Sequence, residues 1–315
     1  MTMLLRNKTL LAKEEGTYGN DPTPTVAENA IEARNVKVNY TGDLLERDYV
    51  RGSISPVSPI MGQHHAEITF EMDLKGSGTA GTAGRLGDLL EACGYAETAS
   101  VGSSVVYKPT SDSIKSVTFY VYEHVSASSS RLHKITGARG NVQIKMTAGQ
   151  MAVLSFAFKG KYNIPTDVAH PATPTYEATL PPVVKSAGFS LNGVTSLVVQ
   201  EVTLDSANEL IGQDDINDAT SLKGFLITGR KPAGQFNPEA VSVATYDFWS
   251  DWIASTARAL SVVVGETAGN KCTITAPKVT VDAINEGDRN GILTTDIPFR
   301  CSQNAGNDEL VLTFE

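Results

Sequence analysis

"ITGARGNVQIKMTAGQMAVLSFAFKGKY", residues 135–162, is two β-branched and aromatic runs, "NVQIKMT" and "VLSFAFKG", that alternate apolar and polar side chains around a Gly-containing turn. Alternation at period two is the mark of a half-buried strand, so this stretch reads as a β-hairpin. A worn copy, "ITAPKVTVDAINEGDRNGILTTDIPFRC", closes the chain at 274–301. Ile135, Thr136 and Val142 match Ile274, Thr275 and Val281. After a turn two residues longer, Met151, Phe156 and Phe158 match Ile292, Ile297 and Phe299. A hairpin written twice points to a tandem duplication.

Working outward, "VKVNY" (36–40), "AEITFEMDL" (66–74) and "VTFYVYEH" (117–124) carry the same strand pattern. "LGDLLEACG" (86–94) is helical: Leu86, Leu89, Leu90 and Cys93 share one face and Gly94 supplies a stop. From 163 to 186 the chain is crowded with Pro, Thr and Ala and reads as an extended linker. The order then recurs, with "LVVQEVTLD" (197–205) for the first strand, "GQFNPEAV" (234–241) for the second and "DFWSDWIAS" (247–255) for the helix. The organisation expected is an arm at 1–30, a domain at 31–162, the linker at 163–186 and a second domain at 187–315. The fold class is mainly β, with one helix flanking each domain.

The 315 residues, 41% of them apolar, suffice for two domains with separate cores. Cys93, Cys272 and Cys301 are an odd, widely spaced set, which implies reduced thiols. The opening "MTMLLRNKTLLAKEEGTYG" breaks its apolar run with charges, so neither a signal peptide nor a membrane span is expected. A net charge of -9 disfavours binding to nucleic-acid phosphates.

Enzyme signatures are weak. "GSGTAGTAG" (76–84) precedes a helix but lacks the Gly-Lys-Ser/Thr ending of a phosphate loop. His64 and His65 are read as loop histidines, and no cluster of ligands completes a metal site around them. Cys93 falls on an apolar helix face, and the neighbours Asp214 and Asp215 read as solvated loop charges. No nucleophile, base and oxyanion site assemble, so no catalytic residue, metal or cofactor is expected.

"LLAKEEGTYGNDPTPT" (10–25), "ERDYVRG" (46–52), "KGSGTAGTAGRLGDLLEACGYAET" (75–98), "LHKITGARGNVQIKMTAGQMAVLSFAFKGKY" (132–162) and "AGNDELVLTF" (305–314) together resemble, in order, the major tail tube proteins of long-tailed bacteriophages. The resemblance implies tandem tail-tube β-sandwich domains whose inner sheets join into a barrel around a lumen. A chain with two such domains would form a trimeric, pseudo-hexameric ring, and the rings would stack into a tube. Implied partners are further copies of the chain and the tape measure, tail terminator and tail tip proteins; double-stranded DNA would pass without specific binding, and no membrane is involved. Four lumen strands from each of six domains give about 24, which at ~4.8 Å spacing and ~40° tilt make a wall roughly 48 Å across. That leaves ~38 Å between side chains, against roughly 20 Å for a duplex.

In "AEITFEMDL", Ile68, Phe70, Met72 and Leu74 form one face and Glu67, Thr69, Glu71 and Asp73 the other. The polar set is the candidate lumen face, with Asp282 and Asp296 as counterparts in the second domain and Lys145 and Lys159 against a uniformly acidic wall. The segment 51–65 carries Ile54, Pro56, Val57, Pro59, Ile60 and Met61, candidates for reaching an adjacent ring. Its counterpart lies around 214–232. Residues 1–30, polar and rich in Gly and Pro, are expected to lie along a neighbour. A two-module binding protein or glycan-acting enzyme is the alternative, for which aromatic surfaces or paired carboxylates would be expected; a bacterial injection tube is a third reading.

Overall fold

The computed structural model describes residues 4, 6–126 and 128–315. The first half contains β1 (Lys8–Glu14), β2 (Ala30–Ile31), β3 (Arg34–Leu45), β4 (Ile60–Asp73), α1 (Leu86–Ala92), β5 (Tyr95–Ser100), β6 (Ser104–Pro109), β7 (Val117–Ser126), β8 (Ser129–Thr147), β9 (Val153–Tyr162) and β10 (Thr166–Ala169). The second contains β11 (Ser190–Leu191), β12 (Val199–Asp205), β13 (Asn208–Asp214), β14 (Leu222–Arg230), β15 (Ala233–Pro238), α2 (Phe248–Ile253), β16 (Arg258–Val264), β17 (Cys272–Val281), β18 (Asn285–Arg289), β19 (Ile292–Ser302) and β20 (Val311–Phe314). With 52% strand against 4% helix, the fold is mainly β.

One antiparallel run carries the strands read from the sequence. It proceeds β3–β4–β9–β8 through the first half and continues β12–β15–β19–β17 through the second. The N-terminal parts of β8 and β17 leave this run, β8 to pair with β7 and β10, β17 to pair with β16 and β20. β7 also pairs with β1, and β20 with β6 of the β5–β6 hairpin. Apolar sides of the two strand sets meet: Phe70 of β4 lies 5.7 Å from Phe119 of β7. Where two separate cores were expected, one large cluster runs through both halves, with Ile144 and Met146 of the first joined to Val202 and Leu204 of the second, and a small one of Leu11, Ala30, Tyr120 and Leu132 lies beside it.

The duplication is legible in the strand registers. Val117 to Phe119 of β7 face Ala138 to Ile135 of β8, two residues against three; Arg258 to Leu260 of β16 face Val279 to Ala276 of β17 in the same way. An extra residue at the same step in both halves is a β-bulge held in common. It aligns Ile135 with Ala276, at the spacing that relates Phe156 to Ile297 and Phe158 to Phe299. The match of Ile135 to Ile274 and of Val142 to Val281 is therefore displaced by two residues, and the second turn needs no insertion.

Other sequence expectations change at the edges. Residues 8–14 do not form a free arm: β1 pairs with β7 over its whole length and buries Leu10, Leu11 and Ala12. Residues 1–3 and 5 of that arm lie outside the described residues. β4 begins at Ile60, so Ile60, Met61, His64 and His65 are strand residues, not loop residues. α1 ends as read, with Gly94 at φ 85°, while α2 stops at Ile253, short of the 255 expected. The linker meets the start of α1, where the Glu177 carboxylate accepts the Arg85 N–H at 2.9 Å. The glycine-rich stretch serves close packing: Gly78 donates to the Gly269 carbonyl at 3.0 Å, and a Cβ on Gly76 would stand 2.1 Å from that oxygen.

Burial, with the Glu14 carboxylate next to it, pushes the Glu91 carboxyl of α1 up to about 7. A raised carboxyl pKa makes the folded state the tighter proton binder above the unfolded value of ~4.3, so stability from this site falls as pH rises from there through about 7. Glu91→Gln is expected to raise the midpoint of thermal unfolding at pH 8 by about 1–3 °C and to change little at pH 4. Calorimetry at the two pH values checks this; an equal shift at both would assign the effect to packing.

Candidate functional site

The face of the long sheet that turns away from the core is polar along its length. Alternation fixes this on each strand: in β4, Ala66, Ile68, Phe70 and Met72 are buried, which sends Glu67, Thr69, Glu71 and Asp73 to the other side. Gln143 and Lys145 of β8, Lys159 of β9, Glu201 and Thr203 of β12, and Arg300 of β19 take the same side by the same rule.

These side chains compensate one another. Glu67 is 3.4 Å from Lys159 and 3.3 Å from His65; Arg34 is 3.5 Å from Glu71 and also bonds Asp73; Arg300 is 2.7 Å from Asp282. Lys145 reaches Glu201 at 2.9 Å across the two halves. Such half-exposed pairs contribute little to stability, ~0–1 kcal/mol each, but they cancel the local field. The carboxylates of β4 are therefore ion-paired while remaining partly open to solvent. Asp296 of β19 stands opposite Asn285 of β18. Arg34, Arg300 and Glu201 were not singled out in the sequence, because their role depends on which strands lie side by side.

Between the halves the strands form a seam. β12 lies along β8 with Val202 opposite Met146, Thr203 opposite Lys145 and Leu204 opposite Ile144. At its end Asn141 donates to Asp205 at 2.7 Å, and the Asp205 carboxylate also accepts the Ala207 N–H at 2.7 Å. Asn208 donates through Nδ2 to the carbonyls of Cys93 (2.6 Å) and Gly140 (3.0 Å). Ala207, at φ 45°, turns the chain here so that the β13–β14 hairpin folds back onto the first half. Phe225 of that hairpin is buried and packs on His65, with ring centroids 5.2 Å apart.

Tyr18 pins the hairpin down. Its hydroxyl donates to the Gly137 carbonyl and accepts the Phe225 N–H, both at 2.8 Å, and the Arg139 guanidinium lies over its ring at 4.8 Å. A Cβ on Gly224 would stand 2.0 Å from the Tyr18 oxygen, so only glycine fits there. Asp218 in the hairpin turn binds Lys161 at 2.6 Å, and that bond holds its carboxyl down at about 2.

Outside the seam the long sheet ends in two open edges. Among the described residues β3 pairs with β4 alone, and Val36 and Val38 pack only partly against the core. At the other end β16 reaches Val279, which leaves Thr280 and Val281 unpaired on that side, while β18 pairs with β19 alone. Ile284, between them, is likewise only partly covered. In the duplication β3 answers to β12, since Val38 faces Ile68 of β4 as Leu204 faces Gly234 of β15. Ile284 and β18 answer to Gln143–Thr147, the part of β8 that forms the seam.

A family model described as phage tail tube protein matches residues 6–301. No curated protein matches the chain.

Removing the Tyr18 hydroxyl strands two half-buried polar groups, a loss of about 1–3 kcal/mol. Tyr18→Phe is expected to speed amide hydrogen exchange at 222–227 and leave the β8–β9 amides unchanged. Exchange mass spectrometry decides; equal acceleration in both segments would show that the hairpin does not open on its own.

Proposed function

We infer from the membership of this chain in the phage tail tube protein family, which makes it a structural component of the phage tail, that three copies close into a ring and that rings stack into a hollow tube conducting DNA to the host. Each chain supplies two tandem β-sandwich domains, 31–162 and 187–315, with the linker 163–186 crossing between their sectors. Assembly takes place in the host cytoplasm, and tape measure, terminator and tip proteins meet the finished tube. The reading assigns no catalytic step and no cofactor.

One observation carries it: the internal seam between β8 and β12 is flanked by two open edges that answer to its own partners. Repeating that seam between copies, β3 of one against the β17–β18 edge of the next, closes a cyclic assembly with no edge left over. The edges also differ in charge. β3 offers Lys37, without an ion pair among those described, and β18 offers Glu286 and Asp288. Eight strands from each of three chains give about 24 and a wall roughly 48 Å across, wide enough for a duplex. The face carrying Glu67, Thr69, Glu71, Asp73, Asp282 and Asp296 then lines the lumen. Ion-paired side chains leave few free cations to hold passing phosphate, which is what a conduit requires.

Residues 46–59 join β3 to β4 as a tip, in which Val50 and Ile54 are fully exposed. Together with Pro56, Val57 and Pro59 they give the tip apolar groups to bury on an adjacent ring, with Ile60 and Met61 at its strand base. Burial of ~25 cal/mol per Å² at several copies per ring offsets the ordering of the tip.

Electron microscopy of purified tubes is expected to resolve three chains per ring; six chains, or no rings, would overturn this reading. Deleting 51–58 is expected to leave folded subunits and single rings but no long tubes. Replacing Glu67, Glu71 and Asp73 together by Lys is expected to permit tubes and slow DNA ejection, with relief by added salt. Unchanged ejection at low and high salt would put these residues elsewhere than the lumen.

A further inference from the structure

The stem of the β3–β4 hairpin repeats the β13–β14 hairpin pair for pair. Leu44 faces Met61 and Leu45 faces Ile60, as Leu210 faces Ile227 and Ile211 faces Leu226, and the register slips at the same step in both. The β13–β14 hairpin has a dock: Ile227 Cδ1 lies 3.4 Å from where a Cβ would stand on Gly94, at the C-terminal end of α1. Among the described residues the apolar pairs of the first-half stem have no such dock, although Gln63 beside them bonds Asp214 of the other hairpin at 2.6 Å. Leu44, Leu45, Ile60 and Met61 are all 53–60% exposed.

A matching bare surface lies at the far end of the chain. α2 presents Trp249, Trp252 and Ile253, an i, i+3, i+4 stripe, to the outside at 44–79% exposure. α1 is packed against the β5–β6 hairpin that follows it, whereas α2 runs through 254–257 directly into β16. The Trp252 indole N–H donates to the Asp282 carbonyl at 3.0 Å, which ties this helix to the open end of β17. Ser255, at φ 50°, holds the place after α2 that Gly94 holds after α1.

We propose that the β3–β4 stem of one copy docks sideways on the α2 end of the next copy in the same ring, with Leu44 and Met61 against Trp252, Ile253 and Ser255, as β13–β14 docks on the first half of its own chain. This rests on ring formation as read above and adds a second contact beside the strand seam. The second half makes its turn at Ala207–Asn208, and the equivalent step in β3 is Thr41–Gly42, where the stem bends to dock. The exposed apolar pair on the other side, Leu45 and Ile60, then matches Ile211 and Leu226, which are exposed on the docked hairpin at 48% and 40%.

The test is a chain carrying Met61→Cys and Ser255→Cys, assembled and treated with a short bis-maleimide. The native thiols are all buried, and each single-cysteine chain serves as control. Linked species that stop at three chains on denaturing gels are the expected result. Rings that form without cross-linking, or a ladder beyond three chains, which marks contact between rings, overturns the lateral docking and leaves the ring intact as a reading. Absence of rings from the unmodified protein overturns both. Should the double-cysteine chain not fold, Met61→Lys is expected to yield folded subunits that fail to close, and Ile253→Glu in the same chain to restore closure; failure of that rescue in folded subunits also counts against the proposal.

Discussion

Five residues of β12 laid along five of β8 hold this structure together as one object. Without that ladder the two halves would be joined only by the shorter β6–β20 pairing and loop contacts, each exposing an apolar flank. With it, Met146, Ile144, Val202 and Leu204 become interior, and the buried cluster runs unbroken from one half to the other. Backbone pairing specifies direction and register, and the apolar side chains beneath it supply most of the driving force. The polar groups at its end, Asn141, Asp205 and Asn208, fix where the ladder stops and where the next hairpin begins.

Much of this was legible in the sequence, for a physical reason. Period-two alternation in residues 66–74 identifies which side chains face the core without knowledge of any partner strand, because the pleat alone decides it. The first helix was readable from local spacing and its glycine stop, the second from the repeated order of elements. Pairing partners were not. The neutralisation of Glu71 and Asp73 by Arg34, or of Glu201 by Lys145, depends on contacts between segments far apart in sequence. The two-residue error in matching Ile135 to Ile274 has the same origin: apolar residues recur every second position, so a slip of two preserves the pattern, and only the bulge opposite Val117–Phe119 breaks the tie. β1 was missed because its Gly- and Pro-rich sequel from Gly16 to Pro24 suggested a mobile arm; the carboxylate of buried Glu15, which accepts from Gly19, Ser116 and Gly137 at 2.6–2.7 Å, anchors that turn.

Open sheet edges are a hazard for an isolated chain, since they invite pairing with any extended segment. Here each edge has local protection. β3 carries Arg34 and Lys37 and is bulged near both ends, and the β17 edge is short before the chain leaves it for β18. Exposed apolar side chains on the β3–β4 stem and on α2 lie on the same two flanks, apart from the long polar face.

Tandem duplication changes what assembly has to order. In the proposed three-chain ring, three of the six sector junctions are built into the chains at synthesis, so two bimolecular encounters replace five and the rotational and translational cost of association, ~4–15 kcal/mol for each, falls on fewer than half as many. It also lifts a restriction on sequence. In a ring of identical single domains, a substitution at a junction appears at every junction; here the covalent and the non-covalent junctions diverge independently. Lys145 with Glu201 occurs at one kind only, and the β5–β6 hairpin survives in one domain only. In the proposed ring the field and contour around the axis therefore repeat every 120°, not every 60°, and a capping protein that met the rim would have two chemically distinct kinds of sector from which to choose.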